Sequence, residues 1–227
     1  MKGSEWTERA NAKINLGLKI LGKRSDGYHD ILSVVQGIDL ADTLHFKFAQ
    51  HSSMTCTSPD IPCNRDNLVM RALALFSQRA PVSCQPLAVH LEKHTPMGAG
   101  LGGGSADAAA TLRALNALHD RPFDAEGLRV LAAELGSDIP FLVEGGTAVM
   151  RGRGEVLQPL DWLGDVYYVL VYPDAAVSTA WAYDHVDLTL TDQNPYTTFV
   201  NSLSGGCVNC WELMEVLEND FLPVVES

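Results

Sequence analysis

The amino-acid sequence predicts an α+β fold, and two observations carry this prediction. Residues 13 to 20 alternate between apolar and polar side chains, which is the period of a half-buried strand. Two helical stretches, 105–118 and 125–135, follow each other with no strand between them. A doubly wound parallel sheet would need a strand at that place, so that fold is not expected.

The other elements are predicted from their patterns and caps. Further strands are expected at 31–40, 43–48, 87–91, 141–143, 147–150, 155–157 and, fully buried, 166–172, with a turn at 22–27. Asp66 is the expected N-cap of a helix over 67–78, Ser178 caps a short helix through Tyr183, residues 192–206 have the composition of a loop, and 211–218 is helical. A boundary near residue 160 divides the chain into domains 1–160 and 161–227.

Composition and charge exclude several classes of partner. Apolar residues make up 46% of the 227 residues, enough to bury a sizeable core. The 28 acidic and 16 basic residues give a net charge of −12. Nucleic acids and anionic membranes attract basic surfaces, so neither is an expected partner.

The cellular setting follows from segments that the sequence lacks. No run of 18 apolar residues is present, so no transmembrane helix is expected. The first ten residues are polar and lack an apolar h-region, so no secretory signal is expected there. The five cysteines are an odd and sparse set, which indicates reduced thiols. The expected location is the cytoplasm.

The strongest local signal is a glycine-rich loop that leads into a helix. Its residues are Pro96, Met97, Gly98, Ala99, Gly100, Leu101, Gly102, Gly103, Gly104, Ser105 and Ala106. Five glycines within seven residues cost much backbone entropy and are expected where the backbone approaches a ligand closely. The helix that follows has Asp107 in its predicted first turn, and its amides and dipole form an anion site. The segment therefore predicts a phosphate cradle; the alternative is a tight turn without a ligand.

Two other phosphate motifs fit this loop less well. No lysine precedes Ser105, so the P-loop pattern fails. Residues 98–103 satisfy the dinucleotide pattern G-x-G-x-x-G, but a second helix follows where that fold needs a strand. A dinucleotide-binding oxidoreductase remains an alternative that predicts NAD binding.

Four spaced motifs resemble one family. Residues 96–106 are similar to the second motif of the GHMP small-molecule kinases. Three further stretches, residues 12–18 with 24–29, 136–141 and 177–180, narrow the resemblance to those that act on 4-diphosphocytidyl-2-C-methyl-D-erythritol. The similarity runs from about residue 10 to about residue 223. It implies an N-terminal α/β nucleotide domain and an incomplete C-terminal domain resembling a ferredoxin-like α/β sandwich. The C-terminal domain is expected to be incomplete because members of that family continue beyond the segment that matches Asn219-Asp220-Phe221 into a third glycine motif.

The resemblance also implies a reaction and its residues. ATP, carrying Mg²⁺, phosphorylates the 2-hydroxyl of the methylerythritol moiety, a step of isoprenoid precursor biosynthesis. Asp138 matches the base and Lys13 its partner, while the phosphates bind the amides of 98–106 and Ser105. The substrate contacts match Tyr28 and Tyr183, which hold the cytosine, and His29, Asn15 and Thr179.

The residue pattern alone leaves alternatives for two site residues and for the function. From the pattern alone, Asp138 also fits a turn aspartate and Lys13 a solvated strand lysine. The seven histidines form no H-E-x-x-H motif, and Cys207 and Cys210 form a single C-x-x-C pair, so no protein-bound metal is expected. The alternatives to the main function are another GHMP kinase and an inactive, truncated nucleotide-binding remnant.

Overall fold

The structure is a computed structural model that describes residues 5–172, 179–186, 194–203 and 206–225. These residues form two compact units, neither of which is one continuous stretch. Unit 1 comprises the chain up to residue 13 with 38–97 and 101–145; unit 2 comprises 14–37, 98–100 and the chain from 146 onwards. The mixture of strands and helices confirms the predicted α+β class.

The strands and helices have the following bounds. The strands are β1 (Trp6–Lys23), β2 (His29–Phe48), β3 (Ser53–Cys56), β4 (Leu87–Glu92), β5 (Thr147–Gly152), β6 (Val156–Leu163) and β7 (Cys207–Asn209). The helices are α1 (Leu68–Arg79), α2 (Gly103–Leu118), α3 (Ala125–Ala133), α4 (Ile139–Glu144), α5 (Thr179–His185), α6 (Pro195–Ser202), α7 (Cys210–Met214) and α8 (Leu222–Val225). The predicted domain boundary between residues 160 and 161 lies inside β6. The division into domains 1–160 and 161–227 stays a prediction.

Unit 1 packs four helices and a small sheet. The second half of β2 pairs antiparallel with β4, so that Leu44 lies opposite Leu91, and β3 pairs parallel with β4. Leu44, Phe46 and Leu91 are fully buried because alternate side chains of a strand face the same layer. Helix α2 packs against α1, α3 and α4.

The start of α2 differs from the prediction. The helix begins at Gly103, two residues before the expected start, because Gly102 has a left-handed backbone, with φ of 69°, and forms the N-cap. The prediction that Asp107 lies in the first turn is therefore wrong. Asp107 lies deeper in the helix, is 3% exposed and pairs with Lys93.

The predicted cap of α1 is also wrong. The side chain of Asn67, not Asp66, accepts a hydrogen bond from the amide of Val69 at 2.9 Å. Asp66 lies in the preceding turn, where its own amide donates to the side chain of Asn64 at 2.9 Å. Asn and Asp cap helices about equally well, so backbone position decided between two adjacent candidates.

The strand predicted at 141–143 is instead part of helix α4. Three consecutive apolar residues show no period, so they do not distinguish a strand from a buried helix. Pro140 lies in the first turn of α4, where its missing amide costs no hydrogen bond. Asp138 is thus followed by a helix, and not by the expected buried strand.

Unit 2 contains further strand pairings and a core cluster. The first half of β2 pairs antiparallel with β5, β5 with β6, and β7 runs parallel to β6. Val34 lies opposite Val149, and both pack with Tyr196 of α6. The amide of Val34 donates a 2.8 Å hydrogen bond to the Tyr196 hydroxyl, which ties α6 to the sheet.

The predicted break inside β2 is wrong. Residues 31–40 and 43–48 belong to one continuous strand. Asp42 lies between the two predicted strands, and a buried carboxylate is uncommon inside a strand. Its charge is satisfied by Lys93 and two backbone amides, so the strand continues through it. The short strand β3 was not predicted.

Two further predictions for unit 2 are wrong. Residues 166–172 form no strand, and their side chains are largely exposed, with Tyr167 96% and Val169 91% exposed. A strand needs a paired neighbour, and no strand in the described ranges pairs with this segment. Residues 195–202, expected in a loop, form α6, because Asn194 caps the helix and Pro195 begins it.

Two further predicted helices have different bounds in the structure. Helix α5 extends past Tyr183 to His185, whereas its predicted cap, Ser178, lies outside the described residues. Helix α7 runs from Cys210 to Met214 and so shares only 211–214 with the helix predicted at 211–218. No helix in the ranges that the structure describes is long and apolar enough to cross a membrane.

Candidate active site

The first turn of α2 presents backbone amides that the helix itself does not use. Ala106 donates its amide to the carbonyl of Gly102 at 2.8 Å, whereas Gly103, Gly104 and Ser105 precede the first intrahelical bond. The helix dipole adds partial positive charge at the same place. Free amides and a positive dipole end are the features that bind phosphate groups, so phosphate binding by the glycine loop stays a prediction that this geometry permits. Of that loop, 96–97 and 101–106 belong to unit 1 and 98–100 to unit 2.

Lys13 and Asp138, which the sequence paired only through the resemblance, lie together in unit 1. The Nζ atom of Lys13 is 3.4 Å from Oδ2 of Asp138. Lys13 is 6% exposed, and about a third of the Asp138 side chain is exposed. Asp138 occupies the N-cap position of α4, yet its side chain caps no amide. A half-open carboxylate beside an ammonium group is suited to accepting a proton.

The same lysine contacts the start of α2. The backbone amide of Lys13 donates to the carbonyl of Leu101 at 3.0 Å. A Cβ on Gly102 would lie 3.2 Å from both Cε and Cγ of Lys13, so only a glycine leaves this room. The ammonium, the carboxylate and the amides of α2 are consequently held in one part of unit 1.

In unit 2, aromatic rings form a cluster around His29. The ring of His29 stacks on Tyr183, with centroids 5.1 Å apart and an angle of 16° between the planes. Tyr183 also meets the edge of Phe221, at 4.8 Å. Tyr28 is 53% exposed, and the guanidinium of Arg153 lies 4.8 Å over its ring. The structure thus brings His29 and Tyr183 together and leaves Tyr28 as an open aromatic face.

The polar substrate candidates are placed only in part. The Asn15 amide group donates to the hydroxyl of Ser33 at 2.7 Å, and that hydroxyl donates to the carbonyl of Gly17 at 2.6 Å. This network fixes the orientation of Asn15. Thr179 is the first residue of α5, but its side chain lies outside the described residues.

A cavity of about 710 Å³ lies within unit 2. Its walls include Asn15 of β1, Trp181 and His185 of α5, and residues 217–220. Lys19, almost fully buried, holds this last segment against β1 through ion pairs with Asp220 at 2.8 Å and Glu218 at 2.9 Å. Burial lowers the pKa of Lys19, but the hydrogen bonds that its ammonium donates to these carboxylates outweigh burial, and the net pKa is raised.

Sequence reasoning missed a cluster of buried charges next to α2. Nζ of Lys93 lies 2.5 Å from Oδ2 of Asp42 and 2.7 Å from Oδ2 of Asp107. Burial raises the pKa of Asp107 to about 7, although Lys93 lowers it. Both carboxylates stand in otherwise apolar segments, and that was the available signal.

Known proteins resemble this chain over most of its length. A family model described as the GHMP kinases N terminal domain matches residues 67–146. A 4-diphosphocytidyl-2-C-methyl-D-erythritol kinase of Gloeobacter violaceus is 47% identical over 176 residues, which are 77% of this chain and 58% of that protein. The chain therefore spans less than three fifths of that relative.

A second relative and a solved structure extend the match. The protein of the same name from Salinibacter ruber is 41% identical over 229 residues, covering 96% of this chain and 77% of that protein. A crystal structure of 4-(cytidine 5'-diphospho)-2C-methyl-D-erythritol kinase matches with a TM-score of 0.70 and 32% identity, over 97% of this chain and 80% of that one. The resemblance seen in the motifs is confirmed: the chain belongs to the 4-diphosphocytidyl-2-C-methyl-D-erythritol kinase family of the GHMP kinases.

Proposed function

We propose that the chain transfers the γ-phosphoryl group of ATP to the 2-hydroxyl of 4-diphosphocytidyl-2-C-methyl-D-erythritol. The observation that carries the proposal is the 3.4 Å pair of Lys13 and Asp138 in the same unit as the first turn of α2. The names of the relatives supply the substrate. Because the chain spans only part of them, its own activity requires a direct test.

The proposed chemistry assigns one task to each group in unit 1. The amides of Gly103, Gly104 and Ser105 hold the phosphates of ATP. As the hydroxyl oxygen bonds to the γ-phosphorus, the bond to the bridging oxygen of ADP breaks, and the hydroxyl proton passes to the Asp138 carboxylate. Lys13 lies beside that carboxylate and offsets the negative charge that develops on the transferred group.

Recognition of the cytidine belongs, in this proposal, to unit 2. Tyr28 offers an exposed ring on which a base can stack, and His29 and Tyr183 form the aromatic cluster that contacts it. Asn15 and Thr179 are the proposed polar contacts of the substrate. Stacking on an aromatic face tolerates any base, so hydrogen bonds from groups such as His29 must select cytosine.

The proposal places Mg²⁺ on the ATP phosphates. Among the residues that the structure describes, no three His, Cys, Asp or Glu side chains converge as a metal site. Mg²⁺ commonly binds through substrate phosphates and few protein ligands, which fits this arrangement. The five cysteines are all unpaired thiols, which supports the proposed cytoplasmic setting.

The direct test is turnover with purified protein. The chain is incubated with MgATP and the proposed substrate, and ADP release and the new phosphate monoester are followed by coupled assay and ³¹P NMR. We expect both products in equal amounts, and their formation about 10²- to 10⁴-fold slower with Asp138→Asn. The control is Asp60→Asn, an exposed aspartate of unit 1 outside the site.

The possible results separate the alternatives. Product from a different alcohol but not from this substrate indicates another GHMP kinase. Binding of MgATP in calorimetry without any turnover indicates a nucleotide-binding protein that is not a kinase on its own. Full activity of Asp138→Asn would overturn Asp138 as the base.

A further inference from the structure

The buried cluster of Lys93, Asp42 and Asp107 joins three separate segments of unit 1. Their side chains are 7%, 0% and 5% exposed, and the Lys93 ammonium contacts both carboxylates. Oδ1 of Asp42 also accepts hydrogen bonds from the amides of His94, at 2.6 Å, and Thr95, at 2.7 Å. The cluster therefore links β2, the loop after β4 and helix α2.

This cluster packs directly against the first residue of α2. A Cβ on Gly103 would lie 3.0 Å from Nζ of Lys93 and 3.0 Å from Cγ2 of Thr95. A Cβ on the next residue, Gly104, would have no atom nearer than 3.9 Å. Gly103 thus fits tightly against the cluster, whereas a side chain at Gly104 would meet only Leu68, at van der Waals distance.

We propose that Lys93, held by Asp42 and Asp107, is a positioning residue that fixes the first turn of α2 in the geometry that binds nucleotide phosphates. The proposal rests on the proposed function, because it deepens the role of the same helix end. Lys93 acts through Gly103 and Thr95. A buried ammonium without its carboxylates is strongly destabilising, and so are buried carboxylates without their ammonium. The three groups therefore keep one arrangement.

The two carboxylates of the cluster are not equivalent. Asp42 receives Lys93 and two backbone amides, and its pKa is lowered, although burial opposes this. Oδ1 of Asp107 is buried without a hydrogen-bond partner, as is Oγ1 of Thr95. The ionised form of Asp107 is therefore the less stabilised of the two.

Protonation of Asp107 consequently changes the charge next to the helix end. The charged groups that face Asp107 are Lys93 from the end of β4 and Asp42 from β2; in the described ranges, no ion pair joins it to α1, α3 or α4. With Asp107 ionised the cluster carries one net negative charge, and with Asp107 protonated it is neutral. Because ATP is anionic, we expect its affinity to fall as the pH rises through 7.

The first experiment tests positioning. Lys93→Met is compared with Lys47→Met, which removes an exposed lysine of the same unit that pairs with Glu5. We expect Lys93→Met to weaken MgATP binding about tenfold and to speed amide hydrogen exchange at 103–106, whereas Lys47→Met changes neither. Lys93→Arg, which retains the charge, should recover part of the affinity. A folded Lys93→Met protein with unchanged affinity and exchange would overturn the proposal.

A glycine pair tests the same contact without changing any charge. Gly103→Ala adds a methyl group that crowds Lys93 and Thr95, whereas Gly104→Ala adds one that has room, with Leu68 at 3.9 Å. Alanine is the better helix former, so Gly104→Ala should keep or raise Tm. Gly103→Ala should lower Tm and speed exchange at 103–106. Equal behaviour of the two variants would contradict close packing of the cluster on Gly103.

The pH dependence separates positioning from a general effect on folding. Affinity for MgATP, measured at saturating Mg²⁺, should fall about threefold or more between about pH 6 and pH 8 in the unaltered chain. Asp107→Asn, which retains the shape, should remove that part of the dependence. The same slope in both proteins would overturn the role of Asp107.

The outcomes distinguish this inference from the proposed function. If the unaltered chain does not bind MgATP, the proposed function fails. Hydrogen exchange and Tm of the Lys93 and Gly103 variants still decide whether the cluster holds the helix end. If MgATP binds and none of the variants changes affinity or exchange, the positioning role alone is overturned.

Discussion

The backbone amide of Lys13 donates a hydrogen bond to the carbonyl of Leu101, and the ammonium of the same residue lies 3.4 Å from Asp138. One lysine therefore contacts the glycine loop with its main chain and the candidate base with its side chain. The next two residues of the loop are glycines that accommodate lysines: Gly102 lies against Lys13 and Gly103 against Lys93. Lys93 is enclosed by two carboxylates, whereas Lys13 faces a carboxylate that is partly open to solvent.

Asp138→Asn should lower kcat strongly without unfolding the protein. The substitution retains the size of the side chain but removes the proton acceptor, so we expect kcat to fall about 10²- to 10⁴-fold. The side chain is partly exposed and caps no helix, so Tm and the affinity for MgATP should change little. Steady-state kinetics, calorimetry and thermal unfolding check the three quantities. A loss of Tm that accounts for the loss of activity would indicate a structural role.

Tyr28→Ala should weaken binding of the cytidine part of the substrate only. The ring is exposed and oriented by Arg153, and stacking of one base contributes about 1–3 kcal/mol, so CDP should bind about tenfold or more weakly. The affinity for MgATP should stay the same. Trp211→Ala, which removes another exposed aromatic ring of unit 2, is the control. If both substitutions weaken CDP binding equally, Tyr28 is not the stacking residue.

Gly17→Ala should lower the free energy of unfolding, and Gly22→Ala should not, although both residues lie in β1. A Cβ on Gly17 would overlap the ring of Tyr196, which is fully buried and cannot move without breaking its bond to the Val34 amide. Forcing a side chain into a packed core costs about 1–3 kcal/mol of unfolding free energy. A Cβ on Gly22 would meet no atom within 4 Å. Urea unfolding monitored by tryptophan fluorescence measures both variants, and equal stability would contradict the packing of α6 on β1.

Asp107→Asn should change how stability depends on pH. The pKa of Asp107 is raised from its ordinary 3.8 to about 7, so between these values the folded chain holds a proton that the unfolded chain releases. This group therefore makes the unfolding free energy decrease as the pH rises from about 4 to about 7, and the decrease ends above that range. Relative to the unaltered chain, Asp107→Asn should become progressively more stable across the same range. A difference in Tm that is constant with pH would contradict a raised pKa; Asp60→Asn is the control.

The sequence by itself determined the local parts of this protein. The glycine loop and the helix after it could be predicted because their signal, clustered glycines followed by strong helix formers, lies within one short segment. The period of two in β1 places Lys13 and Asn15 on one face of a strand. Family motifs supplied the proposed roles of Asp138, Tyr28 and His29, but not their contacts.

Only the tertiary structure decided which distant groups meet. Lys13 and Asp138, or Lys93 with Asp42 and Asp107, come from separate elements, and no local pattern encodes their distances. The apolar run at 166–172 shows the converse, because a strand forms only where another strand pairs with it. Propensity and capping act between neighbours in the chain, whereas ion pairs, strand pairing and burial depend on packing between elements that the chain brings together only when it folds.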